Sequence, residues 1–322
     1  EIMFNLKNLS FQKFLSFFNG TKPLFKLINE SFWKNFFGPF FAFIFPLIFI
    51  VILGSILGYT QILAGSLAIS PMSITLSSMP QMLFEFKNSS LLKRIGSTPI
   101  KPSLFIFVAV LFYFIIIVIS IIWCILFSFI MFATSNWDVG SHAFGSNSIL
   151  NPSFKTTLET VDWGGFIFSE FTLLIVGLLM GMMLVSVCKS YVAIQAIGIT
   201  VIIYSEFLCA MVLPLSTVKD IPALWYIGYI LSPFKPSSNL ILESWNGNFS
   251  GIKFVENALV LNFTKSDIFN IHSSFYTIPI DNNTEAVEVL NLSEKTVSLI
   301  LPFVWMIIFS VVSIKYFKWS SR

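Results

Sequence analysis

Residues 102–137 read PSLFIFVAVLFYFIIIVISIIWCILFSFIMFATSNW, without one Asp, Glu, Lys or Arg. About 20 mostly apolar residues are enough for a helix to cross a bilayer, so this stretch predicts a transmembrane helix. Working outward from it, 36–58, 61–84 and 296–314 are also free of charge, while 166–187 carries only Glu170 and 191–215 only Glu206. All six runs are apolar at consecutive positions, unlike the alternating segments of about ten residues that build a membrane β-barrel. The expected fold is an all-α membrane protein with six transmembrane helices.

Composition points the same way. The 322 residues are 56% hydrophobic, 17% aromatic and 11% charged, with mean hydropathy +0.84. Soluble domains carry about 25% charged residues, and disordered chains are poor in the aromatic and aliphatic residues that abound here. Both classes are excluded.

Basic residues set the expected orientation, because cytoplasmic flanks are enriched in Lys and Arg. With six spans both termini share one face. That face holds thirteen of the nineteen basic residues, including Lys7, Lys13, Lys22, Lys26, Lys34, Lys87, Lys93, Arg94, Lys101, Lys189, Lys315, Lys318 and Arg322. The other face holds six, Lys155, Lys219, Lys235, Lys253, Lys265 and Lys295, and eleven of the sixteen acids. The expectation is a multi-pass protein of the cell membrane with both termini cytoplasmic. The net charge of +3 is scattered beside spans, which argues against nucleic acid as a partner. Heavy use of Phe, Ile, Asn and Lys points to an AT-rich bacterial genome. Residues 1–35 lack the apolar core and cleavage site of a signal peptide.

Four regions follow from this pattern. Residues 1–35 form a cytoplasmic N-terminus. Within it 21–35 predicts an amphipathic interfacial helix: Lys22, Lys26, Glu30 and Lys34 recur every four residues, while Leu24, Leu27, Ile28 and Phe32 share another face. Residues 36–233 hold spans one to five. The second span contains Pro71 and Pro80 and is the least apolar, as expected of a helix shielded by protein. Pro222 to Pro233 is apolar but only about half a bilayer long at 1.5 Å per residue, which predicts a re-entrant or interfacial helix. Residues 234–295 are polar and predict an external loop or small domain, and 296–322 a sixth span with a cytoplasmic tail.

Between spans two and three, EFKNSSLLKRIGSTPIKPS (85–103) predicts a short amphipathic cytoplasmic helix. Phe84, Leu91, Leu92 and Ile95 fall on one face, Lys93 on the other, and Gly96 and Pro99 end the helix.

The chemistry of common enzymes is missing. The chain has no G-x-x-x-x-G-K-[ST], no H-E-x-x-H and no G-x-S-x-G, and no Asp lies within a span. No catalytic residue, bound cofactor or metal is expected. Cys124, Cys188 and Cys209 fall in or at the ends of spans, where Cys acts as a small buried hydrophobe. Two intramembrane acids remain. A carboxylate at bilayer depth costs about 2.5–3.5 kcal/mol on insertion scales, so Glu170 and Glu206, with Gln195 as a hydrogen-bonding neighbour, are the candidate translocation-path residues. Glu170, near the end of its span, has headgroup water as its alternative partner.

Over residues 20–233 and the last span, the chain resembles the membrane subunit of ABC-2-type exporters. The likeness rests on the N-terminal amphipathic helix, on Phe84-Glu85-Phe86-Lys87 through Leu92-Lys93-Arg94-Ile95 to Ser97-Thr98-Pro99-Ile100, on Phe207-Leu208-Cys209-Ala210-Met211-Val212-Leu213-Pro214-Leu215, and on Pro222-Ala223-Leu224-Trp225 with Ser232-Pro233. It departs at Cys209-Ala210, where Ser-Gly is usual, at the start of 85–95, and in the length of 235–295. The resemblance implies a permease that pairs with a second permease subunit, in a homo- or heterodimer, above separate ATPase subunits that bind ATP and magnesium. Glu85, Leu91, Leu92, Lys93, Arg94, Ile95, Thr98 and Pro99 would form the ATPase-coupling element. The substrate would be a lipid, glycan, drug-like molecule or peptide moved outward. The competing expectations are a secondary transporter or channel without an ATPase, and a membrane anchoring protein that works through 235–295.

Overall fold

The computed structural model describes residues 21–57, 59–88, 102–133, 158–159, 161–211, 218, 221–245, 247, 252–255, 258–261 and 292–316. Helix α1 (Thr21–Lys34) meets α2 at an angle of 84°. Helix α2 runs through Phe37–Pro39, a π-turn at Phe40–Ile44, and Phe45–Leu57. Helix α3 repeats this design with Tyr59–Ser73, a π-turn at Ile74–Ser78, and Met79–Asn88. There follow α4 (Pro102–Ala133), α5 (Trp163–Val187), α6 (Tyr191–Leu208), α7 (Pro222–Leu231), α8 (Lys235–Trp245), a two-stranded antiparallel hairpin (Ile252–Val255 with Ala258–Leu261) and α9 (Leu292–Tyr316).

Among the described residues, four helices are long and apolar enough to cross a membrane: α4, α5, α6 and α9, with a fifth if the bent α1–α2 pair counts as one span. The six expected spans are therefore reached only in part. The expected second span is helical, but its character is that of a core strut. Every described residue of α3 from Leu63 to Phe84 is buried, and it packs against α2, α4, α5, α6 and α8. The expected fifth span ends sooner, at Leu208, for a local reason given below.

Proline explains the π-turns of α2 and α3. Each precedes a proline, Pro46 or Pro80, whose missing N–H frees the carbonyl four residues back. In α2, Phe45 N–H bonds Phe40 O rather than Phe41 O. The freed Phe41 O accepts from Ser73 Oγ at 3.0 Å, and Ala42 O accepts from Ser120 Oγ. Ser120 and Ser70 hydroxyls meet at 2.6 Å. In α3, Met79 N–H bonds Ile74 O, and the freed Thr75 and Leu76 carbonyls face Gly181 of α5 and Gly198 of α6, where any side chain would collide with them. Small residues allow such close approach between helices in a membrane.

Helix α1 forms over the residues expected for the amphipathic segment, and its apolar face is spent on protein. Leu24, Ile28 and Phe32 are buried with Phe105, Val108, Phe112 and Tyr113 of α4, with Phe25 and Phe32 edge-on to Phe112 at 5.4 and 5.6 Å. Asn35 Oδ1 accepts from Phe37 N–H at 3.2 Å and stabilises the bend.

Helices α7 and α8 form a helical hairpin packed into the bundle. Asp162 N–H at the start of α5 donates to Ser244 O at 2.8 Å, while Thr172, ten residues along α5, donates to Ser237 Oγ at 3.3 Å. Helix α8 thus runs antiparallel to α5 over about 15 Å, half the hydrocarbon thickness. Helix α7 runs the opposite way beside α9, with Trp225 Nε1 on Glu294 Oε1 at 2.8 Å and Tyr229 OH on Ser298 Oγ at 3.1 Å. The pair enters and leaves by the same end of the bundle. Residues 235–245, expected to belong to an external loop or small domain, form a helix buried along its whole length.

Candidate functional site

Among the described residues, three polar features stand out. The first is a chain of side chains bridging α3 and α6. Glu85 Oε1 accepts from Gln81 Nε2 at 3.0 Å, Gln81 Oε1 from Gln195 Nε2 at 3.1 Å, and Gln195 Oε1 from Ser77 Oγ at 3.3 Å. Each amide has its orientation set by the partner before it, so the carboxylate at the end of α3 is linked through two glutamines to the middle of the same helix. Close by, Lys87 Nζ donates to Val185 O at 3.1 Å and ties α3 to the end of α5. Glu85 and Gln195, placed in separate roles by sequence, belong to one network. Gln81 was not singled out, although an uncharged polar residue in an apolar run was the available signal.

The second feature is the moored tip of the α7–α8 hairpin. Helix α6 ends in a Schellman motif: Met211 N–H bonds Glu206 O and Ala210 N–H bonds Phe207 O. Ala210 takes the left-handed conformation, φ 56°, and this stops the helix at Leu208. The open carbonyl of Leu208 accepts from Lys235 Nζ at 2.7 Å. Lys235 is 0% exposed. Its ammonium lies 4.0 Å from the centre of the Trp225 ring and 5.4 Å from that of Tyr229, so a helix C-terminus and two π-faces replace its water. Around it Ser205 and Ser232 hydroxyls meet at 2.9 Å, Cys209 Sγ and Ser232 Oγ at 3.2 Å, and Tyr204 OH donates to Leu231 O at 2.9 Å. Asn239 Nδ2 donates to Tyr229 OH at 2.7 Å. Burial holds the Tyr229 phenol above its usual range. Charge counting had assigned Lys235 to an external loop, because nothing in its sequence neighbourhood reveals the rings that receive it.

The third feature is the pair of acids. Glu170 is 6% and Glu206 3% exposed. Neither oxygen of Glu170, nor Oε1 of Glu206, has a hydrogen-bond partner among the described residues. Both Glu170 oxygens are shielded from solvent within the described residues. Leu91, Leu92, Lys93, Arg94, Ile95, Thr98 and Pro99 lie outside the described residues. Among those described, no three His, Cys, Asp or Glu side chains gather as a metal site, and one ion pair is present, Lys34 with Glu30 at 3.5 Å on the surface. Set against family models, curated proteins and solved structures, the chain matches none.

Proposed function

We propose that the chain is the permease subunit of an ATP-driven exporter of the ABC-2 type, working with a second permease subunit and a separate ATPase in the cell membrane. In this reading α3 is a sixth span running inside the bundle, both termini face the cytoplasm, and the substrate is a lipid, glycan, drug-like molecule or peptide.

The observation that carries the reading is the buried hairpin of α7 and α8 moored to the end of α6, where the resemblance implies short helices on the external side. The tip of the hairpin is held to α6 by side chains, Tyr204 OH on Leu231 O and Lys235 Nζ on Leu208 O, an attachment that suits a movable closure because such contacts can exchange partners. Ala210 adds support. It occupies a conformation that favours glycine, and glycine is usual there in the family. The Glu85–Gln81–Gln195–Ser77 chain supplies a route by which a push on 89–101 would reach α6.

The test is affinity purification of the tagged chain from its own membranes, with mass spectrometry of what accompanies it. A stoichiometric P-loop ATPase is expected. The double variant Leu92→Asp, Arg94→Glu should insert normally and lose that ATPase. Purification without any ATPase would overturn the proposal, and unchanged co-purification of the double variant would remove 85–103 from the coupling role.

A further inference from the structure

Register along α3 places the two buried acids at one depth. Thr75 of α3 meets Gly177 of α5, and Met79 and Pro80 meet Gly181, so the two helices run parallel and Glu170 stands level with about residue 68. Helix α6 runs the other way: Leu76 meets Gly198 and Gly65 meets Met211. Interpolating between those contacts brings Glu206 to about residue 69. Two independent sets of contacts thus put both residues level with the same turn of the central helix, on two different neighbours.

Their surroundings decide their state. The hydroxyls nearest Glu170 in sequence are already committed, Ser169 to Gly165 O at 2.7 Å and Thr172 to Ser169 O at 2.8 Å. Of the elements packed on α5, α4 offers the Cys124 thiol within electrostatic reach. Helix α8 carries Lys235, which is engaged with Leu208 O, and Glu243. Helix α9 carries Glu294, Lys295 and Lys315, and α3 has its charges, Glu85 and Lys87, at its far end. Near Glu206, α6 itself carries Tyr204 and α7 carries Tyr226 and Tyr229. A bare carboxylate without donors is not sustained in an apolar interior. A metal cation would need several oxygen ligands, and none converge among the described residues. A proton needs one oxygen.

We infer that Glu170 and Glu206 are a pair of proton-binding sites at one level of the bundle, flanking α3, each carrying its proton in this conformation and released only when helix movement admits water. The inference stands whether or not an ATPase drives the protein.

The test is infrared spectroscopy of the full chain in bilayers of ether-linked lipid, which carries no ester carbonyl to overlap the acid band, with any partner that co-purifies, at neutral pH. A neutral carboxylic acid shows a carbonyl stretch above the amide band, clear of ionised carboxylates. The wild type should show this band. Glu170→Gln and Glu206→Gln should each remove part of it, and the double variant all of it. Absence of the band from the wild type, or its persistence in the double variant, would overturn the assignment. The wild-type spectrum decides the matter even if a variant fails to fold. Failure of the exporter reading would appear instead as a missing ATPase, with the band unaffected.

Discussion

Ala210 and Lys235 show how much rests on single residues here. A non-glycine residue in the left-handed region carries a penalty of roughly 1–2 kcal/mol. Ala210→Gly should therefore stabilise the protein, by about 1 kcal/mol once the added freedom of the unfolded chain is deducted, seen as a higher thermal unfolding temperature in detergent. Lys235→Met should act in the opposite sense. It deletes a charged hydrogen bond worth about 1.5–3 kcal/mol and a desolvated cation–π contact of about 2 kcal/mol. The apolar methionine side chain recovers part of that, so a net loss of about 2 kcal/mol is expected, measured by the same unfolding assay. An unchanged unfolding temperature would mean that the cage contributes nothing to holding the hairpin. In the sequence, Cys209-Ala210 stood out only as a departure from a family pattern, and the end of the helix there was not legible. Nor was the role of Lys235, because its partners Leu208, Trp225 and Tyr229 are brought together by the hairpin turn.

At the scale of elements, α3 sets the architecture. Its serines and threonines would make a poor surface against lipid, and its prolines open the backbone, so both features are stable only inside protein. Placement follows directly: hydroxyls of Ser73 and Ser120 and the bare Cα faces of Gly181 and Gly198 meet the carbonyls that the two π-turns release. Gly181→Leu or Gly198→Leu should force α5 or α6 away from α3 at a cost of about 1–3 kcal/mol. The expected readout is lower yield and loss of a monodisperse peak in size-exclusion chromatography, with Gly164→Ala, whose added methyl meets only Asp162 Oδ1 at 3.5 Å, as a neutral comparison. The low apolarity of 61–84 and its two prolines already set this segment apart in the sequence. That it is wrapped by five other helices was not legible, because a hydropathy run records how apolar a segment is and not which neighbour covers it.

For the whole molecule, orientation is the open consequence of the basic residues. In a chain with its native cysteines replaced, Lys189→Cys should react with a membrane-impermeant maleimide only after the membrane is opened, and Gly247→Cys in intact cells. Ser237→Cys, buried beside Thr172, should react in neither. The reverse pattern at 189 and 247 would invert the topology. Long apolar runs marked α4, α5 and α9 to within a few residues, and the start but not the end of α6, since transfer of about 20 apolar residues into lipid depends on composition alone. The half-length of 222–233 announced a helix too short to cross for the same reason. What composition could not set is which polar groups meet. The burial of 235–245, the link from Glu85 to Gln195 and the common level of Glu170 and Glu206 depend on side chains far apart in the chain converging, and only helix packing fixes those distances.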